Sequence, residues 1–305
     1  MIRVANAPCS WGVLEFEAPA PHADASQVLD EMAAAGYAGT ELGDWGFLPT
    51  SATALAADVA RRHLALVGAF VPVALARADA LDEGIARAVR TARLLADAAA
   101  EKGSYPFSAV IVLADDNTSV PNRTARAGRI REEDGLDAAG WDAFAGRAEQ
   151  VAAAVRDVAG VRTVFHHHCG GYVETPQEIH ALMSRTDAAL LGLCLDTGHL
   201  MYAGGNPVDA IAKYRDRIWH VHFKDCDPEL ARQARAEGWD YHTAVRRGIF
   251  CELGKGMVPF RSVLDALRVE YYAGWIVVEQ DVLPGLGTPA ASAERNREYL
   301  RRLGL

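Results

Sequence analysis

Lysine is the scarcest charged residue in this chain: four lysines stand against 27 arginines in 305 residues. The charge balance is acidic, net −9 at neutral pH, and no strongly basic stretch appears. Both facts argue against nucleic acid or an anionic membrane as the main partner. Cysteine is also sparse. Cys9, Cys169, Cys194, Cys226 and Cys251 form no C-x-x-C pair and no even framework, which fits a reducing cytoplasm better than a secreted disulfide scaffold. No apolar run reaches the roughly 20 residues that a membrane helix needs. The opening MIRVANAPCSW lacks the apolar region of a signal peptide. No Pro/Ser tract divides the chain, so one domain over residues 1–305 is expected. The turn after the first apolar run, Ala7 to Gly12, is not glycine-rich, which counts against a dinucleotide-binding open sheet.

Half of the residues are hydrophobic, enough for a large core. Eight short apolar runs alternate with longer stretches of helical period. The runs are Ile2–Pro8, Thr40–Gly43, Leu64–Val73, Ala109–Asp115, Arg162–His168, Leu191–Gly198, Ile218–Asp225 and Gly274–Asp281. Helices are expected near 24–36, 51–63, 80–101, 142–157, 176–186, 207–215, 260–269 and 289–302. Eight strands, each followed by a helix, is the count of a (β/α)8 barrel, a TIM barrel. Two long loops, 116–140 and 226–256, follow the fourth and seventh runs, the second with a short helix. Both belong on the C-terminal face, where such barrels keep their chemistry.

The ionisable residues are concentrated. Eight of the ten histidines lie at or after His166, and the last four runs end in FHHH, CLDTGH, HVHFKD and VVEQD. Unpaired charge at a buried strand end is expensive, and four such ends facing one mouth are stabilised by a shared cation. Asp196 alone reads as a helix cap. His220 and His222 alternate along one strand and so share a face. Glu279 alone reads as an arginine partner. Asp196, His222 and Glu279 together, at successive strand ends, read as metal ligands. Oxygen donors with one imidazole suit Mn2+ or Co2+; Mg2+ and Zn2+ are further options. The fourth ligand is expected to be Glu174, folding back from a glycine-loosened loop, although it also reads as a helix-start carboxylate beside Thr175 and Pro176. His166 and His168 share one strand face and are candidates for metal or substrate. Cys194 points the same way as Asp196 but deeper, and Cys169 is a pocket-lining candidate.

Lys224 can transfer protons where an arginine cannot; its bland reading is an ion pair with Asp225. Lys255, in a Gly-Lys-Gly loop, is a candidate contact for a substrate oxyanion, and this loop does not have the spacing of a phosphate loop. Trp11, Glu41, His199 and His220 complete the substrate-contact candidates. Chemistry next to a ketone suits this set: a metal lowers the cost of an enediolate, and Glu279, Glu174 or Lys224 removes the α-proton. Loss of a β-hydroxyl, assisted by His199 or Lys224, makes a dehydratase. Return of the proton elsewhere makes an epimerase or isomerase.

LCLDTGH, HVHFKD and VVEQD resemble the last three strand ends of the xylose isomerase-like TIM barrels, a superfamily of sugar epimerases, isomerases, dehydratases and endonuclease IV. The resemblance spans nearly the whole chain. GYAGTELGDWG, FHHHCGGYVETPQEI and HVHFKD are most similar to the inosose (2-keto-myo-inositol) dehydratase branch. It implies a small polyol ketone as substrate, a divalent metal on Asp196, His222 and Glu279, and assembly as a homo-oligomer. Two departures stand out. Many members carry a metal-binding glutamate near the end of the fifth strand, where this chain has His166. PCSWGVLEFE also differs from the Trp-Thr-Asn type of N-terminal segment of that branch. Ketose 3-epimerisation, sugar isomerisation and β-elimination from a 3-keto-glycoside are the alternative activities; a metal-dependent nuclease is opposed by the acidic balance, and a non-catalytic sugar-binding barrel has no need of a ligand at each strand end.

Overall fold

The computed structural model describes residues 1–13, 24–101, 108–283 and 285–305; the LEFE half of PCSWGVLEFE lies outside them. Eight parallel strands close into a barrel: β1 (Ile2–Asn6), β2 (Gly39–Glu41), β3 (Ala65–Val73), β4 (Val110–Asp115), β5 (Arg162–His166), β6 (Leu191–Asp196), β7 (Ile218–Phe223) and β10 (Gly274–Val278). Consecutive barrel strands are hydrogen-bonded neighbours, and β1 closes the ring against β10, Ile2 opposite Gly274 through Asn6 opposite Val278. The remaining two strands, β8 (Asp225–Cys226) and β9 (Phe250–Cys251), form a separate antiparallel ribbon. The helices between strands are α1 (Ala25–Ala35), α2 (Ala52–Ala60), α3 (Leu81–Ala100), α5 (Ala138–Ala159), α6 (Pro176–Met183), α8 (Pro207–Tyr214), α11 (Phe260–Val269) and α12 (Pro289–Arg302). Short helices decorate the C-terminal loops: α4 (Pro121–Ala125), α7 (Thr197–Tyr202), α9 (Pro228–Glu237) and α10 (Tyr241–Arg246).

Alternation along each strand sorts the side chains into two layers. On β6, Leu191, Leu193 and Leu195 join the main core beneath the helices. Gly192, Cys194 and Asp196 therefore turn into the barrel. The same rule sends Val221 and Phe223 of β7 outward and His220 and His222 inward. Below the inward ionisable groups lies an apolar floor. Val164, Cys194 and Val277, each two residues before His166, Asp196 or Glu279, belong to two buried apolar clusters with Ala5, Val67, Val112 and Trp275.

The loop after β7 is organised by one carboxylate. Asp225 accepts the backbone N–H groups of Cys226, Gly254, Gly256 and Val258 at 2.8–3.0 Å. A Cβ at Gly256 would collide with that carboxylate, so the Gly-Lys-Gly turn serves loop closure. Asp225 is therefore a backbone anchor and not the ion-pair partner of Lys224. A second apolar core, with Cys169, Tyr202, Cys226, Trp239, Tyr241 and Phe250, fastens the loops after β5, β6 and β7 together over the mouth. Among the described residues, no helix is long and apolar enough to cross a membrane.

Candidate metal centre and active site

His166, Asp196, His222 and Glu279 each bring one donor atom into a group whose members all lie within 4.8 Å of one another. Register explains the meeting. Asp196 pairs with His222 across β6 and β7, His166 pairs with Cys194, and His222 with Val277. Glu279 continues the β10 ladder by one residue, its N–H donating to Phe223 O at 3.0 Å. His166 Nε2 is 3.5 Å from Asp196 Oδ2, and His222 Nδ1 is 3.2 Å from Glu279 Oε1. Both ring nitrogens of His166, Asp196 Oδ2 and His222 Nδ1 are buried without a hydrogen-bond partner. Orphaned donors and acceptors of this kind are costly, and two imidazoles with two carboxylates are the donor set of a divalent cation. The residues present therefore fit such an ion.

Asp196 combines both readings made from its sequence. Its Oδ1 caps α7 by accepting His199 N–H at 2.7 Å, while Oδ2 faces the cluster. His167, on the opposite face of the chain, accepts Asp196 N–H through Nε2 at 3.1 Å. Glu41 stands behind His222: its Oε1 lies 3.0 Å from His222 Nε2 and 2.8 Å from His220 Nε2. A carboxylate on the far nitrogen fixes the ring and its tautomer, the usual support of a metal-binding histidine. Burial opposes the charge on Glu41, but His222 and His220 outweigh it and hold its pKa well below the ordinary range.

Glu174 does not join the four. Its carboxylate accepts Gly128 N–H at 2.7 Å and Gly170 N–H at 2.9 Å. Backbone amides of the loops after β4 and β5 thus take the oxygens that a ligand would need. Burial raises its pKa to about 7, against the pull of those two amides. The neighbouring Val173 is fully buried at φ 67°, a strained conformation for a β-branched residue.

A cavity of about 90 Å3 opens beside the cluster, lined among others by Glu41, Phe70, His166, His168, Lys224 and Glu279. Tyr241 and Asp281, which were not singled out in the sequence, line it too. Tyr241 arrives from the loop after β7, its hydroxyl 3.2 Å from His168 Nε2, while His168 Nδ1 lies 2.7 Å from Cys169 O. Asp281 lies two residues past Glu279, a spacing that could have found it. Lys224 Nζ sits 3.1 Å from Glu279 Oε2 and 3.3 Å from Asp281 Oδ1. Burial opposes its charge, but Asp281, Glu279 and Asp196 prevail and hold its pKa well above the usual value. In this arrangement the neighbouring carboxylates favour the ammonium form of Lys224. Burial likewise works against Glu279, yet His222 and Lys224 keep it ionised, with its pKa lowered.

Four other candidates lie off the cavity wall. Trp11 is buried, its indole N–H donating to Glu31 at 2.6 Å. Lys255 is exposed and pairs with Glu252 at 2.6 Å. His199 packs behind His168, ring centres 4.0 Å apart and the planes tilted by 39°. Cys169 is fully buried in the second core, its N–H directed at His199 Nδ1.

A closed parallel barrel with its ionisable ring at the strand C-termini defines a (β/α)8 barrel of the kind whose chemistry resides at that face. The chain belongs to the xylose isomerase-like TIM barrel family, whose model matches residues 29–303. It is 31% identical over 301 residues to an inosose dehydratase of Geobacillus kaustophilus (strain HTA426), covering 99% of this chain and 94% of that one. It is 32% identical over 302 residues to the rhizopine catabolism protein MocC of Rhizobium meliloti, covering 99% and 88%. Among solved structures, the probable 3-DHS dehydratase AsbF from Bacillus anthracis superposes with a TM-score of 0.69 at 14% identity, covering 99% of both chains. D-allulose 3-epimerase from Methylomonas sp. does so with a TM-score of 0.69 at 15% identity, covering 99% and 98%. These structural likenesses show the shared fold.

Proposed function

We propose that this protein is a divalent-metal-dependent hydro-lyase that removes water from 2-keto-myo-inositol or a closely similar cyclic polyol ketone. The observation that carries the reading is the convergence of otherwise orphaned donors on His166, Asp196 and His222 with Glu279, beside a lysine held as ammonium. Full-length likeness to inosose dehydratases supports the choice of substrate. His166, Asp196, His222 and Glu279 would hold the ion; two imidazoles beside two carboxylates favour Mn2+ or Co2+ over Mg2+, with Zn2+ an option. When bound, such an ion polarises a carbonyl and so acidifies the neighbouring C–H.

The chain's own residues do the rest. Glu41 locks the His222 ring from behind. Glu279, ionised and partly open to the cavity, accepts the α-proton. Lys224, pinned by Glu279 and Asp281, faces the same cavity with protons to give. Phe70, His168 and Tyr241 wall the ring of the substrate and keep bulk water off it.

The test is to determine bound metal in the purified protein and to incubate it with 2-keto-myo-inositol, with and without Mn2+ or Co2+, following products by mass. Metal-dependent loss of one water is expected. Metal bound with the ketone unchanged would overturn the substrate and direct the same sample to a panel of ketoses and 3-keto-glycosides. Absence of metal binding under any of these conditions would overturn the site.

A further inference from the structure

Dehydrating a polyol ketone breaks two bonds on adjacent carbons, the α-C–H and the β-C–OH. The hydrogen and the hydroxyl leave either from one face of the ring or from opposite faces, and the placement of the proton-moving groups decides which. Here those groups are side by side. Lys224 Nζ is 3.1 Å from Glu279 Oε2, and both side chains line the same cavity. Neighbouring strands impose this: Glu279 N–H bonds Phe223 O, so Glu279 and the residue after Phe223 emerge at adjacent strand ends. Lys224 cannot swing round a bound ring, because Asp281 holds it at 3.3 and 3.4 Å and the Phe250 ring lies 4.7 Å from Nζ. Gly198 packs against its stem, where a Cβ would come within 2.7 Å of Lys224 Cγ. Two groups in hydrogen-bond contact cannot straddle a six-membered ring; they serve one of its faces.

We propose that this enzyme performs a syn elimination in which Glu279 takes the α-proton and Lys224 protonates the hydroxyl departing from the same ring face. This rests on the hydro-lyase reading above. The electron pair of the C–H bond becomes the new C=C bond, and that of the C–O bond leaves with oxygen. A proton from the Lys224 ammonium completes the water molecule. The proton held by Glu279 then crosses the contact to Lys224, and the pair returns to its starting state with no further reactant. The substrate class follows. In 2-keto-myo-inositol all five hydroxyls are equatorial, so each α-hydrogen is cis to the neighbouring β-hydroxyl and both face one side. In the diastereomer with both β-hydroxyls axial, hydrogen and hydroxyl are antiperiplanar. That arrangement favours elimination in free solution and places the hydroxyl on the wrong face for Lys224.

The Mn2+-loaded enzyme is given each ketone in D2O, with water loss followed by mass and α-deuteration by NMR. The all-equatorial ketone is expected to lose water, and the diaxial one to exchange its α-hydrogen without losing water beyond the enzyme-free control. Dehydration of the diaxial ketone within about tenfold of the equatorial rate would overturn the proposal. Should the diaxial ketone neither exchange nor react, two variants decide on the equatorial one. Lys224→Ala is expected to keep α-exchange while water loss falls at least about 100-fold, the contribution of a general acid; Glu279→Gln loses both. Water loss at the parent rate in Lys224→Ala, or exchange lost as fully as in Glu279→Gln, would overturn it. Failure of the parent enzyme to dehydrate 2-keto-myo-inositol bears on the functional reading alone, and the same variants are then read on whichever ketone it turns over.

Discussion

Replacing Asp196 by Asn separates two roles held by one side chain. Oδ1 caps α7 on His199 N–H, and Oδ2 faces His166 and His222. An Asn keeps an oxygen for the cap and loses the charge and the second oxygen. The cap is worth about 1 kcal/mol, so the metal-free Asn variant should unfold at or above the temperature of the metal-free parent, relieved of a buried carboxylate oxygen without a partner. Asp196→Ala removes the cap as well and strands a buried N–H, a combined loss of roughly 2–4 kcal/mol. Metal binding behaves differently. Changes to groups that merely orient a ligand already cost about 10–100-fold in affinity, so loss of this oxygen should cost at least that in both variants. For the parent, an ion at 100 times its Kd adds about 2.7 kcal/mol, which for a chain of this size is roughly 5 °C in Tm. The assay is thermal unfolding with excess EDTA and with Mn2+, beside calorimetric titration of the stripped protein. A metal-dependent Tm rise in Asp196→Asn equal to the parent's, or equal destabilisation of the metal-free Asn and Ala variants, would refute the reasoning.

Three further outcomes are expected. Glu41→Gln, which weakens the acceptor behind His222, should lower metal affinity about 10–100-fold with little change in fold, read by the same titration. Glu174→Ala should destabilise the protein by roughly 2–5 kcal/mol by stranding the Gly128 and Gly170 amides, whereas Glu174→Gln keeps an acceptor and loses much less, read by urea unfolding. The raised folded pKa of Glu174, about 7, means that the protonated form is favoured by folding. Its contribution is full below the unfolded carboxylate value and fades as pH rises through about 7, so the parent should lose stability relative to Glu174→Gln across that window. A parent-minus-variant difference that is flat in pH would contradict this.

The barrel was legible because its signal is local: eight apolar runs of strand length, spaced by helical stretches, need only period and count. That Asp196, His222 and Glu279 converge inside the barrel was legible for a related reason. Each ends an apolar run, and alternation alone sends them inward with Cys194, His220 and Val277 beneath. Among the three consecutive histidines, alternation allowed His166 and His168 equally. The strand ends at His166, the last residue still in register with β6, and that placed it in the cluster. Glu174 misled because a loop carboxylate has no periodicity. Its target depends on Gly170 at φ 96° and Val173 at φ 67°, and on a glycine 46 positions earlier in the chain. Lys224 and Asp225 invited pairing as neighbours, but adjacent residues on an extended chain point to opposite sides. Asp225 went to the loop amides and Lys224 to Asp281. Tyr241 came from an insertion without pattern.

The apolar floor beneath the cluster has a kinetic meaning. Ala5, Val67, Val112, Val164 and Val277 fill the barrel below the ionisable ring, so among the described residues the interior offers no polar route downward from the site. On the proposed reaction, ketone and product would therefore exchange at the mouth, past Phe70, His168 and Tyr241. Product lingering there would compete with fresh ketone and would shield a bound ion from chelators.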